Sequence, residues 1–102
     1  MAKFVKVGRT DDLAEGQAML AQVDGQRIAI FHVGERYYAL EASCPHEGGP
    51  LAEGTIEGLR IICPWHGYDF HLKTGECGLD PGLRALTYPV KVQDGDLLIE
   101  MA

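Results

Sequence analysis

The chain reads as a single all-β domain of antiparallel strands. Three observations predict this. Apolar residues alternate with polar ones in short runs, turn pairs such as Asp24-Gly25 separate those runs, and the spacing leaves no room for a crossover helix.

Taken in order, Val5 and Val7 flank Lys6 in the alternation of a first strand. Thr10-Asp11-Asp12-Leu13 then suits one capped turn rather than a long helix, and Glu15-Gly16 ends it. A strand from Ala18 to Val23 meets Asp24-Gly25, and Arg27 to Val33 follows as its hairpin partner. Gly34-Glu35-Arg36 turns the chain into a strand from Tyr37 to Ala42, which leads directly to Cys44. After a Pro- and Gly-rich loop to Leu51, Leu59 to Ile62 enters Cys63 as a strand, and Tyr68 to Leu72 leaves His66 as another. Lys73 to Glu76 is a turn, and Gly78-Leu79-Asp80-Pro81-Gly82 is irregular. Thr87 to Val92 reads as one strand, and Gln93 to Asp96 turns it into a last strand at Leu97 to Glu100 that closes the sheet. Phe31, Tyr37 and Tyr38 are expected in the core or on a sheet face.

The 102 residues suffice for a modest core but not for a second catalytic domain. A net charge of -6 argues against a nucleic-acid surface and suits an acidic carrier that docks on a basic patch. No apolar run approaches membrane-spanning length, and Met1-Ala2-Lys3-Phe4 lacks the apolar core of a secretory signal. Of the three cysteines, Cys77 has no spare thiol with which to pair and is expected as a small buried hydrophobe. The expected compartment is therefore the reducing cytoplasm, with no membrane partner.

The chemistry concentrates between Cys44 and His66. Cys44-Pro45-His46 is followed by sixteen residues and then by Cys63-Pro64-Trp65-His66. Two thiolates and two imidazoles from two short loops make a metal site. Zinc could take all four, but zinc fingers usually place cysteines in one half and histidines in the other. Here each half carries one of each. A two-iron cluster with cysteines on one iron and histidines on the other accounts for that order. His32 and His71 lie outside this spacing and are expected as strand side chains, solvated or satisfied in the core.

These residues resemble the motif of the Rieske [2Fe-2S] family, with Gly48-Gly49 after the first histidine, Gly67 after the last and a Pro-Gly segment at Pro81-Gly82. The resemblance implies an antiparallel sandwich spanning residues 1–102, its base built from both ends of the chain. A small cluster-binding subdomain is inserted at about 43–79. It implies Cys44, His46, Cys63 and His66 as ligands of one [2Fe-2S] cluster. Two ferric ions and two sulfides joined by these ligands make a neutral centre, whereas four thiolates make an anion. Adding an electron to the neutral one costs less.

Potentials in the family spread over roughly -150 to +300 mV, set by groups around the ligands. High-potential members donate a serine and a tyrosine hydroxyl to the cluster sulfurs and join the two ligand loops by a disulfide. Tyr68 stands at the serine position here, Phe70 at the tyrosine position, and Gly49 and Trp65 at the disulfide positions. A low potential is expected. Pro45 and Pro64 shape the loops without donating N–H groups, and Gly48, Gly49 and Gly67 allow close backbone approach. Trp65 packs its loop or meets a partner, and Asp80-Pro81-Gly82 is a cover loop or a plain surface turn.

The resemblance favours a soluble Rieske-type ferredoxin, not itself an enzyme. It would carry one electron from a flavin-containing or iron-sulfur reductase to a terminal oxygenase. The alternatives are the small subunit of an assimilatory nitrite reductase, whose relatives often lack the ligands retained here, and a module in which zinc only folds the loops.

Overall fold

The apolar run Ile28-Ala29-Ile30-Phe31 is buried on both sides, with each of its four residues at 0% exposure. It lies in β3, Gln26–Val33, in a computed structural model that describes residues 3–45, 48–65 and 67–101. Successive strand side chains point to opposite faces. Ile28 and Ile30 therefore enter one core and Ala29 and Phe31 the other. The rest of the described chain is arranged on these two sides.

β3 sits in a four-stranded sheet of order β2-β3-β4-β8, with β2 at Ala18–Val23, β4 at Arg36–Glu41 and β8 at Thr87–Tyr88. Asp24 and Gly25 both have positive φ, 51° and 80°, as a two-residue hairpin between β2 and β3 requires. Against one face packs a three-stranded sheet of order β1-β10-β9, formed by Lys3–Arg9, Asp96–Met101 and Val90–Gln93. Leu97, Ile99 and Met101 meet Ile28 and Ile30 there, with Val5 and Val7 at the edge of the cluster. The register of β1 on β10 shifts between Lys6 and Gly8, the mark of a bulge. Both ends of the described chain thus build one sheet, as expected. The capped turn is a 3-10 turn at Thr10–Asp12, where the Asp12 carboxylate accepts the Arg9 N–H at 2.9 Å.

Against the other face of β3 lies a third sheet, order β5-β6-β7, from Thr55–Glu57, Arg60–Ile62 and Asp69–His71. Its Ile61 and Phe70 join Phe31, Leu40, Leu51, Leu72 and all three cysteines in the second core. β5 and the 3-10 turn Leu51–Glu53 were not foreseen from the sequence.

One expected element is corrected. Thr87 to Val92 is two strands in two sheets: Leu40 and Ala39 pair with Thr87 and Tyr88, whereas Val90 pairs with Ile99. The break falls at Pro89, which has no N–H to offer either ladder, though its carbonyl accepts the Glu100 N–H at 3.0 Å. Among the described residues no helix is long and apolar enough to cross a membrane.

Candidate metal centre

The loop that carries Cys44 is closed on itself by the backbone. Ser43 and Pro50 form an isolated antiparallel bridge at its neck. Inside it, the Cys44 N–H donates to the Gly49 carbonyl and the Gly48 N–H to the Cys44 carbonyl, each at 2.7 Å. Gly48 takes φ 80°, which favours glycine. The second loop repeats the plan: Ile62 pairs with Asp69 at its neck, and the Cys63 N–H donates to the Tyr68 carbonyl at 2.7 Å. The Trp65 N–H points at Cys63 Sγ, 3.4 Å away, and Gly67 takes φ 70°.

The loops meet through Gly49. A Cβ added there would lie 2.8 Å from Cys63 Sγ and 3.0 Å from the nearest atoms of the Trp65 ring. Cys44 and Cys63 are 2% and 1% exposed, and neither is held in a disulfide. This donor set fits a metal cluster. Two buried thiols sit on adjacent tight loops, one sulfur within reach of a backbone N–H, and a glycine backbone fills the space where any side chain would press on that sulfur. His46 and His66 lie outside the described residues. Accordingly, no group of three His, Cys, Asp or Glu side chains gathers among the described residues.

The remaining candidates fall as the spacing implied. His32 Nδ1 lies 3.0 Å from the Leu13 carbonyl, and its ring stacks on Tyr37 at 4.1 Å. His71 Nδ1 accepts the N–H groups of Lys73 and Thr74 at 3.1 and 3.4 Å. Cys77 is buried in the second core beside its bridge partner Phe70. Phe70 is fully buried and has no hydroxyl to donate. On β8, burial and, second, the Glu41 carboxylate push the Tyr88 phenol above its ordinary 10.0, and its hydroxyl donates to Gln26 Oε1 at 3.0 Å.

One support of the site was not foreseen from the sequence. Asp69, at the neck of the second loop, pairs with Arg60 at 2.9 Å, and its carbonyl accepts the Gly78 N–H at 3.1 Å. A Cβ at Gly78 would lie 2.6 Å from the Asp69 carboxylate, so this third loop is seated on the second. The signal for it was the diagonal placement of Arg60 and Asp69 across the β6/β7 hairpin. The third loop itself turns at Asp80, whose carboxylate accepts the Gly82 N–H at 2.9 Å and whose carbonyl accepts the Leu83 N–H at 3.0 Å.

Residues 3–92 match the family model for the Rieske [2Fe-2S] domain. The chain belongs to the Rieske [2Fe-2S] family. Its group is one [2Fe-2S] cluster, which supplies a reversible one-electron couple when bound. The 3-phenylpropionate/cinnamic acid dioxygenase ferredoxin subunit of Escherichia coli (strain K12) is 37% identical over 92 residues, 88% of this chain and 86% of that one. The solved complex of reduced oxygenase and oxidised ferredoxin in carbazole 1,9a-dioxygenase contains a chain 30% identical, with TM-score 0.86, covering 94% of this Rieske chain and 91% of that one. A solved structure described as a nitrite reductase NADPH small subunit is 25% identical, with TM-score 0.87 over 98% and 99% of the two chains.

Proposed function

We propose that this chain is a Rieske-type ferredoxin, a one-electron carrier between a reductase and a terminal oxygenase. One observation carries this reading. The two buried cysteines stand on interlocked loops in a Rieske chain whose ferredoxin relative is matched along 86% of its length. It is an electron carrier of a dioxygenase-type system rather than a catalyst. Cys44 and Cys63 would hold one iron and His46 and His66 the other, within a cluster-binding subdomain at about 43–79 of a single domain, residues 1–102. His46 and His66 would hold their iron through neutral imidazoles, which would leave it less negative than thiolates would and favour the added electron there.

The chain's own residues set the level of that electron. Phe70 offers no hydroxyl to a cysteine sulfur, and the Gly49 and Trp65 positions carry no disulfide. At the Phe70 position the reduced, more negative state thus lacks the tyrosine hydroxyl that raises the potential in other members. The donor is a flavin-containing or iron-sulfur reductase and the acceptor a terminal oxygenase, in the cytoplasm. The net charge of -6 suits basic docking patches on both. Retention of all four ligand residues favours this reading over the nitrite reductase small subunit, whose fold the chain shares.

Coulometric titration of the purified protein tests the proposal. The expected result is one reversible electron per chain with a midpoint in the lower part of the range of roughly -150 to +300 mV. A midpoint above about +100 mV, or no reversible uptake, would contradict it.

A further inference from the structure

We infer that Gly49 and Trp65 form a non-covalent clip that holds the two ligand loops together and fixes the Cys63 sulfur, making both of them positioning residues for the metal centre. The inference rests on the proposed ligand role of Cys44 and Cys63.

The argument begins with why position 49 is glycine. Gly48 and Gly67 have φ of 80° and 70°, so the backbone itself favours glycine there. Gly49 is not among the positive-φ residues. Space alone demands it: an added Cβ would meet Cys63 Sγ at 2.8 Å and the Trp65 Cγ and Cδ2 atoms at 3.0 Å. A surface indole could swing away from such a methyl. A sulfur bound to metal could not.

The approach is as close as a covalent bridge would need. With an S–S bond of about 2.05 Å, the Cβ of one half-cystine lies about 3 Å from the sulfur of the other. The 3.0 Å from the added Cβ at 49 to the γ atom of residue 65 equals that separation. Here the contact is instead made by indole carbon against glycine backbone.

Each half of the clip is also tied to a cysteine. The Gly49 carbonyl accepts the Cys44 N–H at 2.7 Å, and the Trp65 N–H points at Cys63 Sγ at 3.4 Å. The indole on Gly49 therefore couples the two thiols without joining them. Trp65 is 48% exposed, so it lies at the surface of the loops rather than in the core. Its removal should loosen the loops and leave the fold intact.

The test follows release of metal into an excess of iron chelator from cluster-loaded protein, together with visible circular dichroism of the oxidised centre. Variants Trp65→Ala, Trp65→Phe and Gly49→Ala are compared with the natural chain. Trp65→Ala should release metal roughly tenfold to a hundredfold faster, the scale seen when groups behind metal ligands are lost. Trp65→Phe should stay close to the natural rate, and far-ultraviolet circular dichroism should not change for either. Gly49→Ala should alter the visible dichroism. Its effect on release should be smaller in the Trp65→Ala background than alone, because residues in contact are not additive. Release from Trp65→Ala at the natural rate, or an equal loss in Trp65→Phe, would overturn the clip. Should Gly49→Ala fail to fold, the two Trp65 variants decide. Metal analysis of the natural chain judges the centre separately: zinc in place of iron would contradict the cluster while the variants' release ratio still judges the clip.

Discussion

Cys44 and Cys63 stand out in the sequence as proposed ligands because few side chains bind soft metals, and two Cys–His pairs at such spacing leave few other uses for them. Gly49 was legible as a place of close approach and, by the resemblance, as one of the two positions a disulfide occupies in other members. What makes it necessary is the sulfur of another loop, which no local pattern encodes. His46 and His66 are assigned by the same spacing, and the assignment is testable by charge. Replacing either with cysteine adds a negative ligand, so His46→Cys or His66→Cys should lower the midpoint potential or lose the cluster, as read by spectroelectrochemistry. An unchanged potential with the cluster intact would remove the assignment. A second consequence concerns pH. Imidazole bound to oxidised iron holds its proton less tightly than imidazole bound to reduced iron, so deprotonation favours the oxidised form. The potential should then fall as pH rises through the alkaline range; a flat response from neutral to strongly alkaline pH would count against histidine ligation.

At the level of the element, β3 separates stability from function. Ile30 and Phe31 are neighbours, both fully buried, but Ile30 faces the sheet made by the chain ends and Phe31 faces the core that contains Cys44 and Cys63. Ile30→Ala should cost about 2–5 kcal/mol and Phe31→Ala about 3–5 kcal/mol in denaturant unfolding. Only Phe31→Ala should also speed metal release, since only its cavity opens beneath the ligand loops. The turn after β7 gives a sharper case. Gly75 has φ 81°, and a Cβ there would run into the Ala85 carbonyl. Gly75→Ala should therefore destabilise by more than about 1 kcal/mol, measured by the same unfolding experiment. The long alternating strands were readable because each carries its own period. Thr87 to Val92 was not, because Pro89 divides a continuous apolar pattern between two sheets and only the partners β4 and β10 reveal the division. β5, with the lone apolar Ile56 in it, and Leu51–Glu53 lack the flanking apolar residues that made the equally short β6 and β7 legible.

At the scale of the molecule, three sheets divide the labour among the described residues. The sheet of the chain ends and one face of β3 make a core remote in composition from the cysteines, and the other face of β3 carries the core from which both ligand loops rise. The all-β antiparallel class was readable from the strand and turn spacing, and the sandwich was what the family resemblance implied. Which sheet each strand joins was not, since pairing is decided by burial across the fold. The acidic balance of -6 predicts that association with a basic redox partner slows as salt rises from about 0.01 to 0.15 M, which stopped-flow electron transfer would register. The most direct test of the central claim is pulsed EPR on reduced protein, purified anaerobically, alongside iron and acid-labile sulfide analysis. The account predicts two irons and two sulfides per chain, with nitrogen couplings from two imidazoles that vanish one at a time in His46→Cys and His66→Cys. A cluster without those nitrogen couplings, or zinc where iron should be, would contradict it.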